Sequence, residues 1–213
     1  MANPGATTRP DRQSRRRAQT RAKLIAAAGA LFARQGVERT RINEITEEAD
    51  VGFGSFYNHF DGKDAIVQAV LKETITAQAE AIAAVTADLE DPAQVIAAAH
   101  RYFVRLARTD REWAWLLVRL DATQHVIATA LGPFARRDLR KGVAAGRLQV
   151  PNPRVALFAA GGALLAVMRA VLDKQAPQDA DIHHAEGILR MLGLPAKDAA
   201  EVARRPLPKL PGN

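Results

Sequence analysis

The sequence holds no cysteine. That excludes a disulfide framework, a thiolate metal site and a cysteine nucleophile. It also suits a reducing compartment, so a cytoplasmic protein is the expectation. Aromatic residues are scarce at 5 %, so the core must be built mainly from Ala, Leu, Ile and Val. Long hydrophobic runs are missing too. The most apolar stretch, residues 155–171, contains Arg169 and is followed at once by Asp173 and Lys174, which predicts a buried helix and no membrane span. The N-terminus is polar and Arg-rich with no apolar run behind it, so no signal peptide is expected. Neither alternating apolar and polar residues nor an internal repeat is found, and strands are not expected.

What is present is a chain of 213 residues, 48 % hydrophobic and 25 % charged, the balance of an ordinary globular protein. The net charge of +7 points to nucleic acid or another anionic partner. Residues 1–63 supply +4 of it and the remainder +3, so the first third carries more than half of the excess. Arg9, Arg12, Arg15, Arg16, Arg17, Arg21 and Lys23 face the single acid Asp11 in residues 9–23. They read either as an arm that touches phosphates or as a solvated tail. Residues 1–13 lack periodicity and are expected to be disordered.

Helical punctuation follows. Leu24, Ala27, Ala28, Leu31 and Phe32 fall at helical spacing, and Gly36 suits a left-handed cap. Thr40 is the expected N-cap of a short helix reaching Ala49, and Asp61 that of the next long helix. Asp91-Pro92 and Asn152-Pro153 each pair a cap residue with proline at the first helical position. Residues 109–112 fit a capping box before Trp113. Gly132-Pro133 should break or kink whatever runs over residues 124–145. A helix begun by Asp179 or Asp181 should stop at Gly193-Leu194-Pro195 and be the last one. These signals predict an all-α chain of about nine helices.

Residues 40–63 carry the functional signal. Ile42, Ile45 and Ala49 give a short helix one apolar face, Asp50-Val51-Gly52 is a tight turn, and Phe56 and Phe60 repeat at i, i+4. Two short helices locked on a small shared core form a helix-turn-helix, whose second helix can enter a major groove. With Phe56 and Phe60 turned inward, Phe53, Ser55, Tyr57, Asn58 and His59 remain at the surface. Asn and Ser can read base edges and Phe can touch a thymine methyl; Tyr, Thr and His can bond to phosphate oxygens. Gly54 would allow close backbone approach, and Lys63 can add a phosphate contact. A helical hairpin that merely packs is the alternative.

In its ordered pattern, the segment 24–71 resembles the N-terminal domain of the TetR family of bacterial regulators. The resemblance rests on Leu31-Phe32, Gly36, Thr40, Ile45, Ala49-Asp50-Val51-Gly52, Gly54-Ser55-Phe56-Tyr57, His59-Phe60 and Lys63. It implies a DNA-binding set of Thr40, Arg41, Asn43, Phe53, Gly54, Ser55, Tyr57, Asn58, His59 and Lys63. Four positions depart from the family pattern. Asp50 replaces the usual turn glycine, where a left-handed backbone would cost about 1 kcal/mol; Gly52 replaces a serine cap; Thr46 replaces a small apolar residue; and Phe53 replaces a commonly polar residue, which implies a different base preference.

The resemblance further implies a C-terminal helical domain for ligand sensing and dimerisation. The expected organisation is a basic tail over 1–13, the helix-turn-helix domain over 14–63, the effector and dimer domain over 64–198, and a flexible tail over 199–213. Aromatic or isolated polar residues give candidate ligand contacts: His100, Phe103, Trp113, Arg119, His125, Phe134 and Arg169. Arg136, Arg137, Arg140 and Lys141 read either as an attractor for an anionic effector or as a solvated helix face. His100, His125, His183 and His184 show no i, i+3 or i, i+4 pair, so no metal or other cofactor is expected. Glycine inside the apolar helix at 161–162 calls for a close packing partner, and the family's two-fold dimer places the interface on residues 153–173 and 180–192. The implied function is a repressor released from a near-palindromic operator by a small molecule. An all-α enzyme and a protein-binding adaptor are the competing readings. No nucleophile elbow, phosphate loop or carboxylate pair supports the first, and salt-dependent DNA binding would exclude the second.

Overall fold

Leu24, Ile25, Ala27, Ala28, Leu31 and Phe32 are all buried on one face of helix α1, Arg12–Gln35. The computed structural model describes residues 12–119 and 128–210. Ten named helices span them, and no strand occurs among the described residues. After α1 come α2 (Ile42–Glu48), α3 (Phe53–Tyr57), α4 (Lys63–Val85), α5 (Pro92–Thr109) and α6 (Arg111–Arg119). Then follow α7 (Gly132–Ala144), α8 (Pro153–Leu172), α9 (Ala180–Met191) and α10 (Ala196–Arg204). The chain forms two compact units that divide between Val70 and Leu71, inside α4 and not at its start.

In the first unit, α1 stops at Gly36, whose φ of 81° and amide bond to the Phe32 carbonyl make the expected left-handed cap. Thr40 is not the cap of α2. Arg41 occupies that place, and its amide donates to Glu44 Oε2 at 2.7 Å. Thr40 is buried instead, donating its hydroxyl to the Gly36 carbonyl at 2.8 Å. Asp50 has a φ of 53°, so the turn does require a left-handed residue. Phe56 and Phe60 are buried with ring centroids 5.6 Å apart and join Ile45, Ile66 and Val67 in the core. α4 starts at Lys63, and Gly62, not the expected Asp61, takes the cap place: its carbonyl accepts from the Ile66 amide.

In the second unit, Asp91 and Asn152 cap as expected: Asp91 Oδ1 accepts from the Ala93 amide, and Asn152 Oδ1 from those of Arg154 and Val155. Asp110, within the anticipated capping box, accepts from the Trp113 amide. Gly132-Pro133 marks the expected break: residues 128–130 are helical, Leu131 is a turn, and α7 begins at Gly132. Ile96, Ala97, Leu139, Leu148, Ala185, Ile188 and Leu189 form the core. Gly193 has a φ of 95°, and a Cβ there would lie 2.6 Å from the Gln149 carbonyl, so glycine is required.

Two expectations are corrected here. Arg12 and Gln13 are helical; the rest of the N-terminal segment lies outside the described residues. The C-terminal segment is anchored and does not hang loose. Ala199, Val202 and Ala203 recur at helical spacing and are buried along α10. Beyond them Arg205 bonds to Asp91 and Gln94, and the Tyr102 hydroxyl donates to the Pro208 carbonyl. The prolines that suggested looseness lie after this apolar stripe.

α8 differs from the buried helix expected. It is long and apolar enough to cross a membrane by length and composition, with mean hydropathy 2.1, yet only 22 % of that window is buried within the chain. Leu164, Met168, Val171 and Leu172 pack inward, while Val155, Phe158, Gly162 and Ala166 are exposed.

Candidate nucleic-acid interface and cavity

α3 is held by its own buried aromatics. Phe56 is fully buried and fixes the rotation of the helix, which leaves Phe53 and Tyr57 one turn apart on the outer face, 53 % and 52 % exposed. Their rings meet edge to face with centroids 5.7 Å apart. Two large aromatic side chains held outward on a five-residue helix form an apolar patch that a partner would cover. Gly54, Asn58, Arg41 and Asn43 are also exposed, whereas Ser55 and His59 are half-buried. A Cβ at Gly54 would meet nothing within 4 Å, so that surface is open to an approaching partner. Lys63 Nζ donates to the Glu38 carbonyl at 3.3 Å and keeps two further protons for other acceptors.

Thr40 is the one expected DNA contact that the structure turns away: it is 1 % exposed and its hydroxyl is committed to Gly36. Two residues outside the expected set flank α3. Arg17 Nη2 donates to the Asn58 carbonyl at 3.2 Å, and the Arg21 guanidinium lies over the Phe60 ring at 5.0 Å. The basic run in residues 9–23 was their only signal in the sequence. Burial, then the charges of Arg17 and Arg21, lower the pKa of His59, which favours the neutral imidazole, with one N–H donor and one acceptor nitrogen.

The second unit holds a half-open cavity of about 780 Å³ between the end of α4 and helices α5, α7 and α8, a size suited to a small organic ligand. Ile82, Phe103, Phe134, Leu157 and Leu164 supply apolar wall. Polar groups are few: Thr86, His100 and Asp138 on the inside, with the more exposed Arg136, Arg137, Arg140 and Arg154 also lining it. Asp138 is buried and accepts from Arg137 Nε at 2.8 Å, while the Arg137 guanidinium lies 5.6 Å from the Phe134 ring. A smaller hollow shares Thr86, Val95, Arg137 and Asp138 with it and adds Glu90 and Lys141.

Of the expected ligand contacts, His100, Phe103 and Phe134 line this cavity. Trp113 and Arg169 do not. The indole Nε1 of Trp113 is buried without a hydrogen-bond partner among the described residues. Arg169 pairs with Asp173 at 3.1 Å and lies over the Trp115 ring. His125 and the Arg119 side chain lie outside the described residues. Sequence reasoning missed Asp138 and Phe158 as cavity residues; a lone acid within the basic run Arg136–Lys141 was the available signal for the first. No group of three metal-ligating side chains occurs among the described residues.

Comparison with known proteins agrees with both halves. Residues 24–70 match "Bacterial regulatory proteins, tetR family", and residues 91–205 match "Tetracyclin repressor-like, C-terminal domain". The chain belongs to the TetR family. This family consists of transcriptional regulators, not enzymes. The crystal structure of RolR with its ligand resorcinol is 38 % identical, covers 92 % of this chain and 98 % of its own, and superposes with a TM-score of 0.82. Thermus thermophilus FadR in complex with lauroyl-CoA, 20 % identical with a TM-score of 0.64 over 81 % of this chain and 92 % of its own, shares the fold. TtgR of Pseudomonas putida is 45 % identical over 53 residues, 25 % of each chain. The A-factor receptor protein of Streptomyces griseus is 38 % identical over 88 residues, 41 % of this chain and 32 % of its own. The chain thus spans about a quarter to a third of the length of these two relatives.

Proposed function

We propose that this TetR-family chain is a cytoplasmic repressor that binds an operator as a homodimer and is released by a small aromatic effector. The observation that carries the DNA-binding part is the exposed Phe53–Tyr57 pair on a helix pinned by Phe56. Tyr57, His59, Lys63 and Arg41 are assigned to phosphates, and Phe53, Ser55 and Asn58 to base edges, with Gly54 clearing the approach and Asn43 beside it. Arg17 and Arg21 extend the basic flank.

The dimer is assigned to residues 153–173 and 180–192. Val155, Phe158, Ala159, Gly162 and Ala166 form an exposed apolar stripe on α8, and His183, Gly187 and Met191 an exposed row on α9. Interior helical glycines cost about 1 kcal/mol each, and Gly162 and Gly187 have nothing within 4 Å of a Cβ; a second copy packed closely there offsets that cost. Two copies present two reading helices to the half-sites of a near-palindromic operator.

The effector assignment rests on the mostly apolar, aromatic-lined cavity and on the resorcinol complex of the similar RolR. A ligand moves the equilibrium only by its differential affinity for the DNA-competent and released states. The test is fluorescence anisotropy on DNA enriched by the protein from genomic fragments, with and without resorcinol. Saturable binding that resorcinol weakens supports this function; no enrichment of any sequence contradicts it.

A further inference from the structure

We propose that His100 and His184 act as one recognition unit in the cavity, selecting ring effectors that carry a hydroxyl or carbonyl through Nε2 of His100. The proposal rests on the effector-cavity reading and goes beyond it by naming the group that recognises polarity. His100 lies on α5 and lines the cavity; His184 comes from α9, eighty-four residues later. Nδ1 of His100 and Nε2 of His184 are 2.9 Å apart, with ring centroids 5.0 Å apart. At that separation the two nitrogens share one proton, since two protons would clash and none would repel. His100 Nδ1 is therefore committed. Its remaining nitrogen has no other partner among the described residues and is available in a mainly apolar space.

The shared proton makes the pair adaptable. When an effector hydroxyl donates to His100 Nε2, His100 carries its proton on Nδ1 and donates to His184. When an effector carbonyl accepts from Nε2–H, His184 donates to Nδ1 instead. Both rings remain neutral: burial, and for His100 also the neighbouring His184, lower the pKa values to about 3 and about 4. A ring lacking such a group leaves Nε2 dry and unpaired, the kind of mismatch that a polar site rejects strongly.

The test is calorimetric titration of the full chain with resorcinol and with toluene. Wild type should bind resorcinol about 10- to 100-fold more tightly than toluene. His100→Phe should cut that preference several-fold while still binding toluene, and His184→Phe should reduce it less, with thermal melts confirming folded variants. Nitrogen-15 spectra of wild-type histidines provide a second readout that needs no variant: the His100 Nε2 resonance should shift on adding resorcinol. Equal affinity of wild type for both probes, or an unmoved Nε2 resonance at saturation, overturns the recognition unit while leaving the cavity reading intact. Failure to bind either probe overturns both.

Discussion

Arg101 Nε donates to Asp181 Oδ2 across 3.0 Å, and both side chains are only 6 % exposed. Arg105 bonds to the same oxygen at 2.8 Å, and Arg101 also donates to the Arg205 carbonyl. One buried carboxylate thus ties α5 to α9, and one arginine ties both to the segment after α10. Burial acts to raise the Asp181 pKa, but hydrogen bonds and charge from the two arginines prevail and lower it. Asp181→Asn leaves Arg101 buried without its counter-charge. The expected loss is about 3 kcal/mol, or a fall of roughly 6–12 °C in Tm, read by thermal melting. An unchanged Tm would show that the pair carries no stability.

The His100–His184 pair should appear in the pH dependence of stability. Both folded pKa values lie below the ordinary histidine value of 6.5, at about 3 and about 4. Below pH 6.5 the unfolded chain therefore binds protons that the folded chain refuses. Stability is full above that pH and falls as pH drops toward 4, with each histidine contributing about 1.4 kcal/mol per pH unit at most. Urea titrations between pH 7 and pH 4 should show a shallower fall for His184→Phe. An identical slope would mean that the pair is already solvated.

Asp50 sits at φ 53° in the helix-turn-helix turn and is exposed. Glycine there removes the left-handed penalty, partly offset by greater freedom in the unfolded chain. Asp50→Gly should stabilise by up to about 1 kcal/mol and Asp50→Val should destabilise by about 1–2 kcal/mol. The order of the melting temperatures, Gly above Asp above Val, checks both.

Ala166 lies on the exposed stripe of α8. Ala166→Glu should leave the monomer folded but place two charges at the proposed two-fold contact. Sedimentation velocity should show a dimer for wild type and a monomer for the variant. A variant that stays dimeric places the interface elsewhere.

Local chemistry explains what was legible in the sequence. The Leu24–Phe32 spacing, the Phe56 and Phe60 pair, the Gly36 cap and the Asp-Pro and Asn-Pro helix starts all act within a few residues. What was hidden depends on distant packing. Thr40 looked like a cap because of its type, but its burial against Gln35 and Gly36 decided its role. Arg169 and Trp113 read as pocket residues by type, but Arg169 pairs with Asp173 over the Trp115 ring, and the Trp113 indole nitrogen is buried without a partner among the described residues. His100 and His184 form no sequence-spaced pair; α5 and α9 bring them together.

α3 is assigned to read DNA through its exposed face. A salt titration of binding to DNA selected from genomic fragments, comparing wild type with Tyr57→Ala and Lys63→Ala, decides that assignment. Wild-type affinity should fall steeply with salt. Lys63→Ala should lower the logarithmic salt slope by about 1, and Tyr57→Ala should weaken binding by about tenfold or more. Unchanged affinity and slope in both variants would contradict the assignment of α3 as the DNA-reading helix.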